Sequence, residues 1–150
     1  MREIKIISVS YCPGYGDMRG EYHEMSLRKD KEGNWNYISS DRAFYSEPTI
    51  TTTYSASEEA VAQFEEFLVK KKIFSLENRP KSDMFMTDYR PWSWSITYET
   101  TSFGKTKREY FDIGEYKRYN GNDYSLINEL SDRFTALKGE KLSEVKKENN

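Results

Sequence analysis

In "WSWSITYE", residues 92–99, large and small side chains alternate without a break. Trp92, Trp94, Ile96 and Tyr98 fall on one side, and Ser93, Ser95, Thr97 and Glu99 on the other. A period of two places successive side chains on opposite faces of a strand, so this stretch predicts a strand with one apolar and one polar face. Phe103–Gly104 then reads as a turn and "REYFDI" as the antiparallel partner. Earlier in the chain, residues 3–11 read as a strand whose phase slips: Ile4 and Ile6 share one parity, and Ile7, Val9 and Tyr11 share the other. Such a slip predicts either a bulge near Ile6–Ile7 or partial cover of both faces. Residues 21–29 alternate again, with His23, Met25 and Leu27 on one face and Tyr22, Glu24, Ser26 and Arg28 on the other. Gly33–Asn34 supplies a turn, Trp35 and Tyr37 a third strand, and the β-branched run "TITTTY", 49–54, a fourth. Pro48 makes a central strand position improbable just before it.

The period changes from two to 3.6 at "SASEEAVAQFEEFLVKKK". Val61, Phe64, Phe67 and Leu68 form one apolar stripe, with Glu58 and Glu59 at the positive end of the helix dipole and Lys70 to Lys72 at the negative end. Ser55 or Ser57 is the cap, Ser55 making a capping-box pattern with Glu58. A second helix is predicted near 123–138, striped by Leu126, Ile127, Leu130, Phe134 and Leu137, capped by Asn122 or Asp123 and stopped by Gly139. Strands come in series rather than alternating with helices. The expected architecture is therefore α+β: a mostly antiparallel sheet of about five to six strands with two helices packed on one face. Residues 1–139 read as a single domain, and 140–150 as a charged, frayed tail.

Composition narrows the function classes. With 150 residues the chain is long enough for its own core, and the aromatic share of 15% implies a core rich in rings. A formal net charge of -2 lacks the basic field that a general nucleic-acid binder uses to displace counterions. The single Cys12 rules out an internal disulfide framework and fits a reducing compartment, so the cytoplasm is the expected location. The apolar part of "MREIKIISVSY" is too short and interrupted for a signal peptide, and no run approaches a membrane span.

Candidate chemistry is sparse. "YCPGYGDMRG", residues 11–20, spaces its glycines as G-x-G-x-x-x-G, which is neither a dinucleotide fingerprint nor a Walker loop, and a strand rather than a helix follows. A turn is the better reading. If the first two strands pair, Cys12 and His23 approach each other, and a thiol beside an imidazole is the minimum for thiol catalysis; the alternative is a small buried Cys and a His packed beside Met25. Zinc wants four ligands and the chain has one Cys and one His; no calcium loop is present, so no cofactor is expected. Glu115-Tyr116-Lys117, with Asp88 or Asp112 before it, has a nuclease-like E-x-K spacing, but Glu3-Ile4-Lys5 and Glu144-Val145-Lys146 repeat that spacing by chance.

The segment "MTDYRPWSWS", 86–95, gathers Asp88, Tyr89, Arg90 and Trp92 ahead of a strand. Aromatics beside arginine are typical of interface hot spots, and they also stack on sugars or bases. "YKRYNGNDY", 116–124, adds Tyr116, Arg118 and Tyr119 in a loop. Taken in order, the loop "GYGDMRG", the helix exit "KKKIFSL" and the turn "MTDYRPWSWS" resemble an uncharacterised family of small bacterial α+β domains; the resemblance covers roughly residues 3–138 and implies a fold but no activity. The leading expectation is a non-catalytic protein-binding module, of inhibitor or immunity type or an assembly subunit. Its contact residues are expected to be Tyr89, Arg90, Trp92, Tyr116, Arg118 and Tyr119. The alternatives are a thiol-dependent enzyme using Cys12 and His23, and a carbohydrate or nucleic-acid binder using the 86–95 aromatics.

Overall fold

The computed structural model describes residues 3–16, 19–76, 89–115 and 121–148. Seven strands form one antiparallel sheet, in the spatial order β8-β7-β1-β3-β4-β5-β9. They are β1 (Glu3–Cys12), β3 (Tyr22–Lys29), β4 (Trp35–Arg42), β5 (Thr49–Ser55), β7 (Ser93–Ser102), β8 (Lys105–Gly114) and β9 (Lys141–Lys147). Two short strands, β2 (Tyr15–Gly16) and β6 (Tyr89–Arg90), pair separately. The helices are α1 (Glu58–Lys70) and α2 (Gly121–Thr135), and a 3-10 turn follows α1 at Ile73–Ser75.

Alternation along each strand becomes rows across the sheet. Phe111, Ile96, Val9, Leu27, Tyr37 and Tyr54 stand opposite one another in consecutive strands. Most of these residues are buried, in one cluster with Val61, Phe64, Phe67 and Leu68 of α1 and with Ile127, Leu130 and Phe134 of α2. Each large side chain fully buried there contributes roughly 1.5–3 kcal/mol over its exposed state. The adjacent row points the other way and, apart from Ile38, is small and polar: Asp112, Ser95, Ser10, Ser26, Ile38, Thr53 and Ser143. The sheet thus has a ring-and-aliphatic face and a hydroxyl face.

Phe134 joins the layers. Its ring centroid lies 5.1 Å from those of Trp94 and Tyr37, 5.9 Å from Phe64 of α1 and 6.3 Å from Tyr11. The phase slip in β1 is a bulge: the register to β7 shifts between Ile6 and Ser8. β3 pairs with β1 only over Ser8–Tyr11, and a carboxylate of α1 serves the backbone beyond, Glu65 Oε2 accepting from Ile6 N–H at 2.9 Å. The turn Phe103–Gly104 has positive φ at both residues, 53° and 76°, as a tight two-residue hairpin requires.

Several expectations need correction. The sheet has seven strands, not five to six. Part of the difference is residues 141–147, expected to fray but forming β9, which pairs with β5 from Thr49 to Tyr54. Every β9 residue is exposed, so no hydrophobic pattern announced the strand. Main-chain bonding holds it, Ser55 N–H donating to Glu140 O at 2.8 Å and Gly139 N–H to Ser55 O at 2.8 Å, and the Ser55 side chain adds one bond, its Oγ accepting from Glu140 N–H at 3.0 Å. The same engagement explains the cap of α1. Ser55 stays in β5, while Ser57 caps the helix by accepting from Ala60 N–H at 3.1 Å. α2 begins at Gly121, so Asn122 and Asp123 lie inside it rather than at its cap.

α2 also carries the chain from one edge of the sheet, β8, to the other, β9. Six inter-strand gaps span about 29 Å. The 15 residues of α2 are about 22 Å long.

Candidate functional site

Among the described residues of the glycine-rich stretch, Pro13–Gly14 separates β1 from the short strand β2, and a strand, β3, rather than a helix follows. Tyr15 and Gly16 form β2 and pair antiparallel with Arg90 and Tyr89 of β6. Two segments 75 positions apart are therefore laced together by backbone at the end of β1 where Cys12 sits (Tyr15 to Arg90). Gly20 closes the turn with φ of 84°, against the ring of Tyr45, so a Cβ there would strike that ring. The turn is tied to β4 by Arg42 Nε donating to Gly20 O at 2.8 Å, and to the next loop by Tyr45 N–H donating to Arg19 O at 2.8 Å.

Beside this lacing lies a cleft of about 190 Å3, on the hydroxyl face where β3, β1 and β7 meet. Ser10 and Cys12 of β1 and Ser93 and Ser95 of β7 line it, with Tyr22 and Glu24 of β3 and Tyr15 of the turn around them. The Tyr22 hydroxyl donates to Glu24 Oε2. Burial, then the hydrogen bond and charge of Glu24, push the Tyr22 hydroxyl up to about 12, so it stays protonated at neutral pH. The cleft therefore offers a fixed phenol, a carboxylate and several serine hydroxyls.

Cys12 is buried in that cleft. His23 also borders it, but alternation puts the two on different faces: Cys12 follows Ser10 in parity, and His23 follows Met25 and Leu27. Both imidazole nitrogens face carboxylates, Nδ1 at 2.7 Å from Asp41 Oδ1 and Nε2 at 2.9 Å from Glu21 Oε2. Carboxylates only accept, so both nitrogens donate when both bonds are made, and His23 is then an imidazolium. Burial pulls His23 down; the bonds to Asp41 and Glu21 outweigh it and raise its titration above the ordinary 6.5. The edge of the Tyr15–His23 ring pair, at 5.4 Å, ties this ion bridge to the turn. A base for Cys12 is thus not what His23 offers in this arrangement.

Of the expected contact residues, Trp92 is half-buried and packs against the core, while Trp94 is fully buried and stacks on Tyr11 with ring centroids 4.0 Å apart. Glu115 N–H donates to Trp92 O at 3.0 Å, which joins the two ends of the β7–β8 pair. Tyr116, Arg118 and Tyr119 lie outside the described residues, as do Asp88 and the side chains of Tyr89 and Arg90. Asp112 sits on the hydroxyl face opposite Ser95.

Tyr15, Tyr22, Glu24 and the serines of the cleft escaped the sequence reading. The signal was present in the polar parities of "YHEMSLR" and "WSWSITYE", but only strand pairing reveals that those parities meet. A second and larger groove, about 660 Å3, is lined by residues of α1 and the bulged part of β1, among them Lys5, Arg28, Lys29, Glu58, Glu65 and Glu99. Among the described residues, no group of three or more His, Cys, Asp or Glu is arranged to hold a metal ion. None of the described helices is long and apolar enough to cross a membrane. No family model, no curated protein and no solved structure matches the chain.

Proposed function

We propose that this protein is a non-catalytic binding module for another protein, working in the cytoplasm and engaging its partner at the laced end of the sheet. The reading rests on one observation above the others. The segment at Tyr15–Gly16 and the aromatic-basic segment around Arg90 and Trp92 are joined by the β2–β6 ladder, beside a shallow polar cleft. Its size supports a side-chain acceptor. About 190 Å3 is below the roughly 300–1,000 Å3 of sites that enclose small molecules. Phe134, in contact with α1, β1, β4 and β7, supports the finer architecture in which both helices lie on one sheet face and leave the hydroxyl face to the partner. Tyr89, Arg90 and Trp92 are the central contacts. Tyr116, Arg118 and Tyr119, which follow Glu115 in the sequence, are proposed as further contacts.

The test is recovery of partners from the native host with the full chain as bait, followed by affinity measurement with alanine variants at 89, 90 and 92. A hot-spot contact is worth about 2 kcal/mol or more, so at least one variant should weaken binding by roughly thirtyfold. Unchanged affinity in all three, with circular dichroism showing an intact fold, removes this surface from consideration.

A further inference from the structure

Within that protein-binding reading, we infer that the cleft receives a lysine or arginine side chain of the partner, its cationic end bound to Glu24. Among the described residues that line the cleft, Glu24 carries the only carboxylate. Its Oε2 accepts the Tyr22 hydroxyl, which is one hydrogen bond to a group with about four acceptor sites. Among the described residues, no Lys or Arg forms an ion pair with Glu24. The imidazolium of His23 is already committed to Glu21 and Asp41. Around the carboxylate, the hydroxyls of Ser10, Ser93 and Ser95 can accept further N–H donors. A long aliphatic stem ending in several donors fits this lining: the stem passes the rings of Tyr15 and Tyr22, and the charge meets a partly desolvated acceptor. An anionic guest would face Glu24 without a counter-charge, and a purely apolar one would cover the hydroxyls without bonding them.

The experiment uses the full chain, isotope-labelled for amide NMR, titrated with acetyl-Gly-Xaa-Gly-amide peptides in which Xaa is arginine, lysine, citrulline, norleucine or glutamate. Arginine or lysine peptides should shift the amides of Cys12, Glu24 and Ser95 saturably. The uncharged and acidic peptides should not. E24Q should weaken the cationic peptides about tenfold or more, since a hydrogen bond to a charged group is lost. F103A, at a residue 95% exposed and outside the cleft lining, should keep binding and serves as the control for an intact fold. Shifts of equal size with citrulline or norleucine, or cationic binding unaffected by E24Q, overturn the assignment of Glu24 as a cation acceptor. Absence of any shift with the arginine and lysine peptides overturns it as well. The wider protein-binding reading fails by a different result, namely a recovered partner whose affinity ignores positions 89, 90 and 92.

Discussion

Replacing Phe134 with alanine removes the side chain on which α2 meets the rest of the molecule. Phe134 is 0% exposed and has, among the described residues, four aromatic neighbours, Tyr11, Tyr37, Phe64 and Trp94, with ring centroids 5.1 to 6.3 Å away. Truncating a buried Phe to Ala costs about 3–5 kcal/mol through lost transfer energy and the cavity left behind. Four ring contacts place this site toward the upper part of that range, since each favourable aromatic pair adds about 0.5–1.5 kcal/mol beyond burial. We expect a loss of about 4 kcal/mol. With a urea m-value near 2 kcal/mol/M this moves the midpoint down by about 2 M. Thermal melting should fall by roughly 8–16 °C for a chain of this size. Such a loss is a large part of the total stability of an ordinary domain, about 5–15 kcal/mol, so Phe134→Leu is measured alongside as a milder variant that stays folded. The assay is urea unfolding followed by far-ultraviolet circular dichroism and tryptophan emission together. Trp94, whose ring lies 5.1 Å from Phe134, should report the change in emission before global unfolding. Phe103→Ala, at a residue 95% exposed on the β7–β8 turn, should stay within about 0.5 kcal/mol of the parent. A loss below about 1 kcal/mol for Phe134→Ala would refute the packing argument, because no buried ring with four ring partners can be removed so cheaply.

Other outcomes follow from single contacts. Gly139→Ala places a Cβ 2.6 Å from the Ser55 carbonyl oxygen, so β9 should detach; hydrogen exchange of the Lys141–Lys147 amides should accelerate with little change in β3 or β4, and unaltered β9 protection would count against the contact. His23 has a folded-state pKa raised above its ordinary 6.5, so its two bridges contribute fully below about 6.5 and that contribution disappears as pH rises through the folded value. The stability gap between the parent and His23→Gln should accordingly widen on acidification across this window, and a gap that widens on alkalinisation would contradict the ion bridge. Ser57→Ala removes the acceptor for Ala60 N–H and should cost about 1 kcal/mol in chemical denaturation; a neutral result would mean that the helix start is capped by other means.

The local elements were legible because their information is local. The period of two in "WSWSITYE", the slip at Ile6–Ile7, the 3.6 period from Val61 to Leu68 and the turn at Phe103–Gly104 all depend on spacing between near neighbours. Burial on one face imposes that spacing whatever the rest of the chain does. The structure places strands, bulge, helix and hairpin accordingly. β9 was illegible for the complementary reason. Its seven residues are all exposed, and it exists because Gly139 lets the backbone approach Ser55 closely enough to start a ladder along β5. Hydrogen bonds between main chains leave no trace in side-chain pattern.

The candidate site divides the same way. Trp92 and Arg90 drew attention by composition, and Cys12 and His23 by chemistry. What composition could not tell is that β6 would lie against β2, or that Cys12 and His23 would fall on opposite parities while Glu21 and Asp41 took both imidazole nitrogens. Nor could it bring Tyr22 and Glu24 beside Ser93 and Ser95, some seventy positions on. The amino-acid order alone set which stretches become strands and helices and which side of each is apolar. Strand order, the site they enclose and the partner of each polar group belong to the tertiary structure, because they depend on which distant backbones share hydrogen bonds, and the energy of that choice is spread over the whole sheet.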